Sequence, residues 1–267
     1  MAEIHGDLLD ASVATRAVRQ HRPAALVHLA AARATPGAGP WDVLARNHAM
    51  TGNVLMAAAE GAQGAPVLIP GSAAQYGLGA RDPLSESAPT TAVSHYGAMK
   101  CVLETAALSP PLKGGVRVIW TRSFNHLGPG QGPSAPVANW ARQLAEAERM
   151  GSGTLLTGRL DVLRDFLDVR DVADAYLQLV GSDAEGAINV CSGTGTRLRE
   201  LVQELIQLSS ARVSVELDPA LERSVDPPAV VGDPRKLRQA IRWAPRIDLQ
   251  SSLRDVLADW RSRVAAA

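Results

Sequence analysis

At 267 residues with 46% hydrophobic side chains, the chain can bury the core of one large or two small domains. Its 27 basic residues are balanced by 27 acidic ones, which leaves no net field to gather nucleic acid or an anionic membrane. Two cysteines, Cys101 and Cys191, give neither a disulfide framework nor metal-ligand spacing. No apolar run approaches a bilayer span and MAEIHGDLLD has no leader pattern, so a cytoplasmic protein is expected.

In chain order, residues 11–21 read as a short helix. RPAALVHLAAA is a continuous apolar run that suits a strand buried on both faces. Residues 41–60 have apolar spacings of three and four, the pattern of a packed helix. VLIPGSAAQYG is the next buried strand and 95–108 the next helix; VRVIWTRSFNHLGPG is a third strand running into a Gly/Pro loop. This alternation predicts an α/β fold, a parallel sheet with helices on both faces. Ligands of such sheets bind beyond the carboxyl ends of the strands, where Ser72 and Asn125 fall.

From Pro129 the pattern becomes more interrupted. A turn-rich connector leads to a helix at about 136–150, a short strand TLLTG, and then RDFLDVRDVADAYLQLV. The last segment reads as a strand, an N-capping Asp171 and an amphipathic helix. GAINVCSG is a further strand, TRLRELVQELIQL a helix, VSVEL a strand, and 249–264 the closing helix. No internal repeat is present.

The stretch with the clearest chemistry is Ser72 to Lys100. Tyr96 and Lys100 stand at i and i+4, one turn apart on one helix face. An ammonium beside a phenol favours the phenolate, and a serine hydroxyl converging on the same point can hydrogen-bond a substrate oxygen. Together they form a proton-transfer device for a carbonyl/alcohol pair; the alternative is a surface Tyr and Lys. Arg164 and Arg223 can grip a diphosphate or form surface pairs with nearby aspartates. Asn125 can cap a substrate or shape a turn. His28 and His126, next to apolar strands, read more readily as packed histidines than as acid/base groups. Ser85 and Glu86 border the substrate or solvate their loop.

A dinucleotide domain normally opens with a strand, a G-x-G-x-x-G turn and a helix whose N-terminus holds the pyrophosphate. Nothing in residues 1–60 fits that pattern, and GTG at 193–195 follows a strand but lacks a third glycine.

The order HLAA (28–31), GSAAQYG (71–77), YGAMK (96–100), RSFNHLGPGQ (122–131), RDFLDVRDVADAY (164–176) and NVCSG (189–193) resembles the extended short-chain dehydrogenase/reductases acting on nucleotide sugars, the NAD-dependent epimerase/dehydratase family. Within it, the likeness is strongest to the reductases of GDP-linked 4-keto-6-deoxy sugars. It covers essentially the whole chain from GDLLD onward.

The resemblance implies a Rossmann-type parallel sheet, truncated at its N-terminus, with a smaller C-terminal substrate domain. Residues 1–130 and 164–190 would form the incomplete dinucleotide half, and 131–163 with 191–267 the nucleotide-sugar half. It implies catalytic roles for Ser72, Tyr96 and Lys100: Tyr96 passes a proton to the C4 oxygen, Lys100 lowers the phenol pKa and holds the ribose, and Ser72 orients the ketone. Asp7, His28, Leu29 and Ala30, with Tyr96 and Lys100, would line NAD(P)H; Asn125, Arg164 and Arg223 would bind the sugar nucleotide; no metal is implied. It further implies a homodimer paired through helices 41–60 and 95–108, and a place in deoxysugar biosynthesis.

Two departures qualify this. GSAAQYG has alanine where a dehydratase carries an acid/base partner, which favours simple reduction. The family's first βαβ unit has no counterpart before GDLLD, so a gap and an unpaired edge are expected beside the HLAA strand. Met1 as an internal start, a unit supplied by another chain, or genuine loss of the cofactor each account for it. Loss would leave redox-neutral isomerase, epimerase or cyclase chemistry, or a sugar-nucleotide-binding partner protein.

Overall fold

The computed structural model describes residues 3–33, 37–77, 83–110, 114–222 and 225–266. Regular structure begins with α1 (Ala11–His21), whose N-cap Asp10 accepts the Ser12 N–H at 2.9 Å. There follow β1 (Leu26–Val27), α2 (Pro40–Gly61), β2 (Val67–Pro70), α3 (His95–Leu108), β3 (Val118–Ser123) and β4 (Asn125–Leu127). The second half brings α4 (Pro136–Met150), β5 (Ser152–Thr157), β6 (Leu163–Asp168), α5 (Val169–Val180), β7 (Gly186–Val190) and β8 (Gly195–Arg197). Then come α6 (Leu198–Leu208), β9 (Arg212–Leu217), β10 (Ala229–Val230), α7 (Arg235–Ala240) and α8 (Leu249–Ala265).

Four strands form an all-parallel sheet in the order β1-β2-β3-β7. Successive side chains of its inner strands point to opposite faces, and both faces are covered. Val67, Ile69, Val118 and Trp120 pack on one side against Val54, Leu55 and Ala58 of α2 and Met99 and Leu103 of α3. Leu68, Ile119, Ile188 and Val190 pack on the other against Val172, Ala175 and Leu179 of α5. The apolar runs at 67–70 and 118–120 therefore follow from burial on both sides.

The run at 22–32 differs from its expectation. Only Leu26 and Val27 are strand, Val27 is 40% exposed and Leu29 67%. Among the described residues no strand pairs with β1 on its outer side, so β1 ends the sheet; Leu26 packs against α1 and α2 while Val27 is left exposed. The open edge expected beside HLAA is there.

A second layer carries the parallel order β10-β6-β4, with β8 antiparallel to β6, and β5 pairs with β9 in parallel. A separate core gathers Trp140 and Leu144 of α4, Leu155 of β5, Leu201 and Leu205 of α6 and Leu253 and Leu257 of α8. The cap of α5 is Asp168 rather than Asp171: its carboxylate accepts the Arg170 N–H at 2.8 Å. Asp168 is the last residue of β6 to pair with β4, so the helix starts directly beyond the ladder. Asp171 instead lies in the first turn and accepts the Arg246 and Ile247 N–H groups at 3.1 and 3.0 Å. Among the described residues no helix is long and apolar enough to cross a membrane.

Candidate active site

Beyond Pro70 the chain turns through Gly71, and Ser72 caps a 3-10 turn, Ala73–Tyr76, its Oγ accepting the Ala74 N–H at 3.2 Å. A Cβ on Gly71 would lie 2.2 Å from Trp120 Nε1, so only glycine lets the turn sit on the indole. Ser94 caps α3 by accepting the Gly97 N–H at 3.1 Å. Gly97 lies so close to the turn that a Cβ there would stand 2.3 Å from the Ala74 carbonyl oxygen. This contact sets the first turn of α3 against the Ser72 turn, so that the Ser72 side chain faces the Tyr96 phenol and favours its ionised form. Because Ser72 Oγ already accepts from Ala74, its own proton is available to the phenol oxygen.

Tyr96 is 52% exposed, yet burial around the phenol raises its pKa above the usual 10, partly offset by the nearby Ser72 side chain and the Arg33 charge. Lys100, one turn along, is buried; its ammonium donates to the Pro70 carbonyl at 2.7 Å and lies 5.9 Å from the Tyr96 ring centroid. Burial lowers the Lys100 pKa to about 8. The ammonium is held by the Pro70 carbonyl, and Ser72 and Arg33 also favour the ionised phenol.

At the carboxyl end of β1, the His28 N–H donates to the Leu68 carbonyl at 2.9 Å. The buried His28 ring has Nε2 3.4 Å from Thr51 Oγ1, and burial with the nearby Lys100 charge lowers its pKa to about 4. It is a neutral, packed histidine. His28, Leu29 and Ala30 line a crevice of about 30 Å³ with Asn47, Thr51, Pro70 and Lys100. Asp7 lies outside it, in the turn before α1, its Oδ1 accepting the Leu9 N–H at 2.9 Å.

Asn125 and Arg164 line one cavity of about 420 Å³, together with Trp140, Arg159, Phe166 and Asp226. Arg164 pairs with the Asp226 carboxylate and donates to its own Leu163 carbonyl at 2.7 Å; Asn125 Nδ2 donates to the Asp165 carbonyl at 3.1 Å. Arg223 lies outside the described residues. His126 is exposed, with Nδ1 3.2 Å from the Phe124 carbonyl. Glu86 anchors its loop to β7 by accepting the Asn189 N–H at 2.8 Å.

Sequence reasoning passed over the buried polar residues behind the site, Gln75, Glu104 and Arg122. One signal was there to read: Glu104 stands at i+4 from Lys100, so a charged residue follows the reactive pair along α3. It also passed over Asn47 and Thr51, which read as ordinary helix residues.

The chain is 36% identical over 249 residues to GDP-6-deoxy-D-mannose reductase of Pseudomonas aeruginosa, covering 91% of this chain and 82% of that protein. It is 29% identical to UDP-glucose 4-epimerase of Azospirillum brasilense, over 97% of this chain and 79% of the relative. Among solved structures, that of RMD from Pseudomonas aeruginosa complexed with NADPH superposes with a TM-score of 0.89 at 33% identity, covering 98% of this chain and 89% of the other. The model of the NAD dependent epimerase/dehydratase family matches residues 2–191. With the parallel sheet and the Ser72, Tyr96 and Lys100 cluster at its carboxyl edge, these matches place the chain in the NAD dependent epimerase/dehydratase family.

Proposed function

We propose that the protein is an NAD(P)H-dependent enzyme that reduces a 4-keto-6-deoxy sugar carried on a nucleoside diphosphate, with GDP as the favoured carrier. The observation that carries this is the convergence of Ser72 and Tyr96 at the carboxyl end of β2, where Gly97 packs on the Ser72 turn, one helical turn from the buried ammonium of Lys100. NAD(P)H, when bound, supplies the hydride. Tyr96 gives its proton to the C4 oxygen, Ser72 holds that oxygen by donating its hydroxyl proton, and Lys100 binds the ribose hydroxyls. Leu29, Ala30 and Lys100, at the mouth of the small crevice, would border the nicotinamide-ribose end of the cofactor.

Asn125 and Arg164 bind the sugar nucleotide in the larger cavity, the arginine on its diphosphate side. The relative with 36% identity is named for reduction of a GDP-linked deoxysugar, which favours GDP. The dinucleotide half then takes in 1–130 and 164–190, and the sugar-nucleotide half 131–163 and 191–267. The protein acts as a homodimer through α2 and α3, where Met56 and Val102 are 53% and 47% exposed.

A second reading is redox-neutral proton chemistry or binding of a sugar nucleotide without reduction, for which the Tyr96 phenol and the Ser72 side chain facing it suffice.

The test is NADPH and NADH oxidation with GDP-4-keto-6-deoxymannose, alongside fluorescence titration of both cofactors. Turnover that disappears in Tyr96→Phe supports the reductase; GDP binding with no cofactor binding selects the second reading.

A further inference from the structure

Gln75, the third residue of the Ser72 turn, is fully buried and takes no part in the steps above. Its Oε1 accepts the Ser72 backbone N–H at 3.0 Å and Trp120 Nε1–H at 3.2 Å. Its Nε2 donates to Glu104 Oε2 at 2.6 Å. Both partners of Oε1 are donors only and the partner of Nε2 is an acceptor, so the network fixes which end of the amide is which.

Glu104 lies on α3 one turn beyond Lys100. It is gripped by Arg122 of β3, whose Nε donates to Oε2 at 2.9 Å and whose Nη2 donates to Oε1. One side chain thus joins three pieces: the turn that carries Ser72, the strand β3, and the helix that carries Tyr96 and Lys100. A side chain of this length must accept at one end and donate at the other to do this. A hydrocarbon leaves the Ser72 N–H and the Trp120 N–H without an acceptor, and a carboxylate faces the carboxylate of Glu104.

We propose that Gln75 is a positioning residue of the site: by tying the Ser72 backbone to Glu104 it sets where the Ser72 hydroxyl stands against the Tyr96 phenol. Gln75 touches neither reacting group and acts through both. The inference rests on the reductase reading for its kinetic consequence alone.

The experiment compares wild type, Gln75→Leu and Gln75→Glu by thermal unfolding, by kcat and KM for ketone reduction, and by ultraviolet titration of Tyr96. The titration is read as the difference from Tyr96→Phe in each background. Folded Gln75→Leu is expected to lose about 10- to 100-fold in kcat with KM within about twofold. Its Tyr96 is expected to titrate at higher pH than in wild type, because Ser72 no longer meets the phenol.

Gln75→Glu decides the matter if Gln75→Leu does not fold. Its introduced carboxyl donates to Glu104 only when protonated, so kcat is regained on acidification. Arg122 of β3, Tyr76 beside it, and Lys100 and Cys101 of α3 are the other ionisable groups around that position. A folded Gln75→Leu with unchanged Tyr96 titration and unchanged kcat, or a Gln75→Glu loss that ignores pH, overturns the proposal. If wild type reduces no nucleotide-linked ketone, the titration decides alone: an upward shift upholds the positioning role while the reductase reading falls, and no shift rejects the role.

Discussion

The Lys100 ammonium donates to the Pro70 carbonyl oxygen at 2.7 Å, which pins the middle of α3 to the last residue of β2. The same lysine that would serve a cofactor ribose is thus a structural link between helix and sheet. Its burial makes that link pH-sensitive.

In the folded protein Lys100 titrates at about 8, below the 10.5 of an unburied lysine. Between those values the unfolded chain binds more protons than the folded one, so stability rises with pH across the window. Below about pH 8 the burial cost is carried in full. Lys100→Met removes it, for a gain at pH 7 of up to about 3 kcal/mol, less about 1 kcal/mol for the lost hydrogen bond. The gain shrinks as pH rises from 8 to 10.5. Urea unfolding of both proteins at pH 7 and pH 10 checks this; an equal gain at both would mean that Lys100 is not the titrating group.

Tyr96→Phe keeps the ring and deletes the proton donor. Loss of a positioned general acid lowers kcat by about 10²- to 10⁴-fold. Because the side chain is half-exposed, the melting temperature is expected to stay close to that of wild type. Activity and calorimetry on one preparation separate the two effects. Unchanged turnover in a folded variant would exclude Tyr96 as the proton donor.

The inner strands and the reactive pair were legible because each rests on a local pattern. The apolar runs at 67–70 and 118–120 are buried on both faces, and the i, i+4 spacing of Tyr96 and Lys100 survives as a shared helix face. β1 misled because an apolar run reports which neighbours a strand is suited to, and here one side of the strand has none among the described residues. Asp168 and Asp171 are equally good caps by type, and the extent of the β4–β6 ladder decided between them. The direction of the Lys100 ammonium and the Gln75–Glu104 contact join residues about 30 positions apart, which no local pattern encodes.

Arg122 and Glu104 form a nearly buried pair, and Glu104 and Tyr76 raise the guanidinium pKa against the opposing burial. Removing one partner leaves an uncompensated charge, so Glu104→Leu and Arg122→Leu are each expected to destabilise by about 3–5 kcal/mol. The double variant should lose clearly less than the sum of the two. Denaturant unfolding of the four proteins in the cycle measures this, and simple additivity would show that the pair is not coupled.

Arg164 faces two demands, since it pairs with Asp226 in the wall of the cavity that Asn125 shares. If a diphosphate binds there, the guanidinium has to serve phosphate oxygens as well as the carboxylate. Arg164→Met removes charge-assisted hydrogen bonds of about 1.5–3 kcal/mol. GDP affinity should therefore fall by about 10- to 100-fold, while guanosine, which has no phosphate, should bind with unchanged affinity. Asp226→Asn keeps the side-chain shape and removes the competing charge, so it is expected to tighten GDP and leave guanosine alone. Isothermal titration of the three proteins with both ligands provides the measurement. Equal weakening of GDP and guanosine in Arg164→Met would show that the arginine shapes the cavity rather than holding the diphosphate.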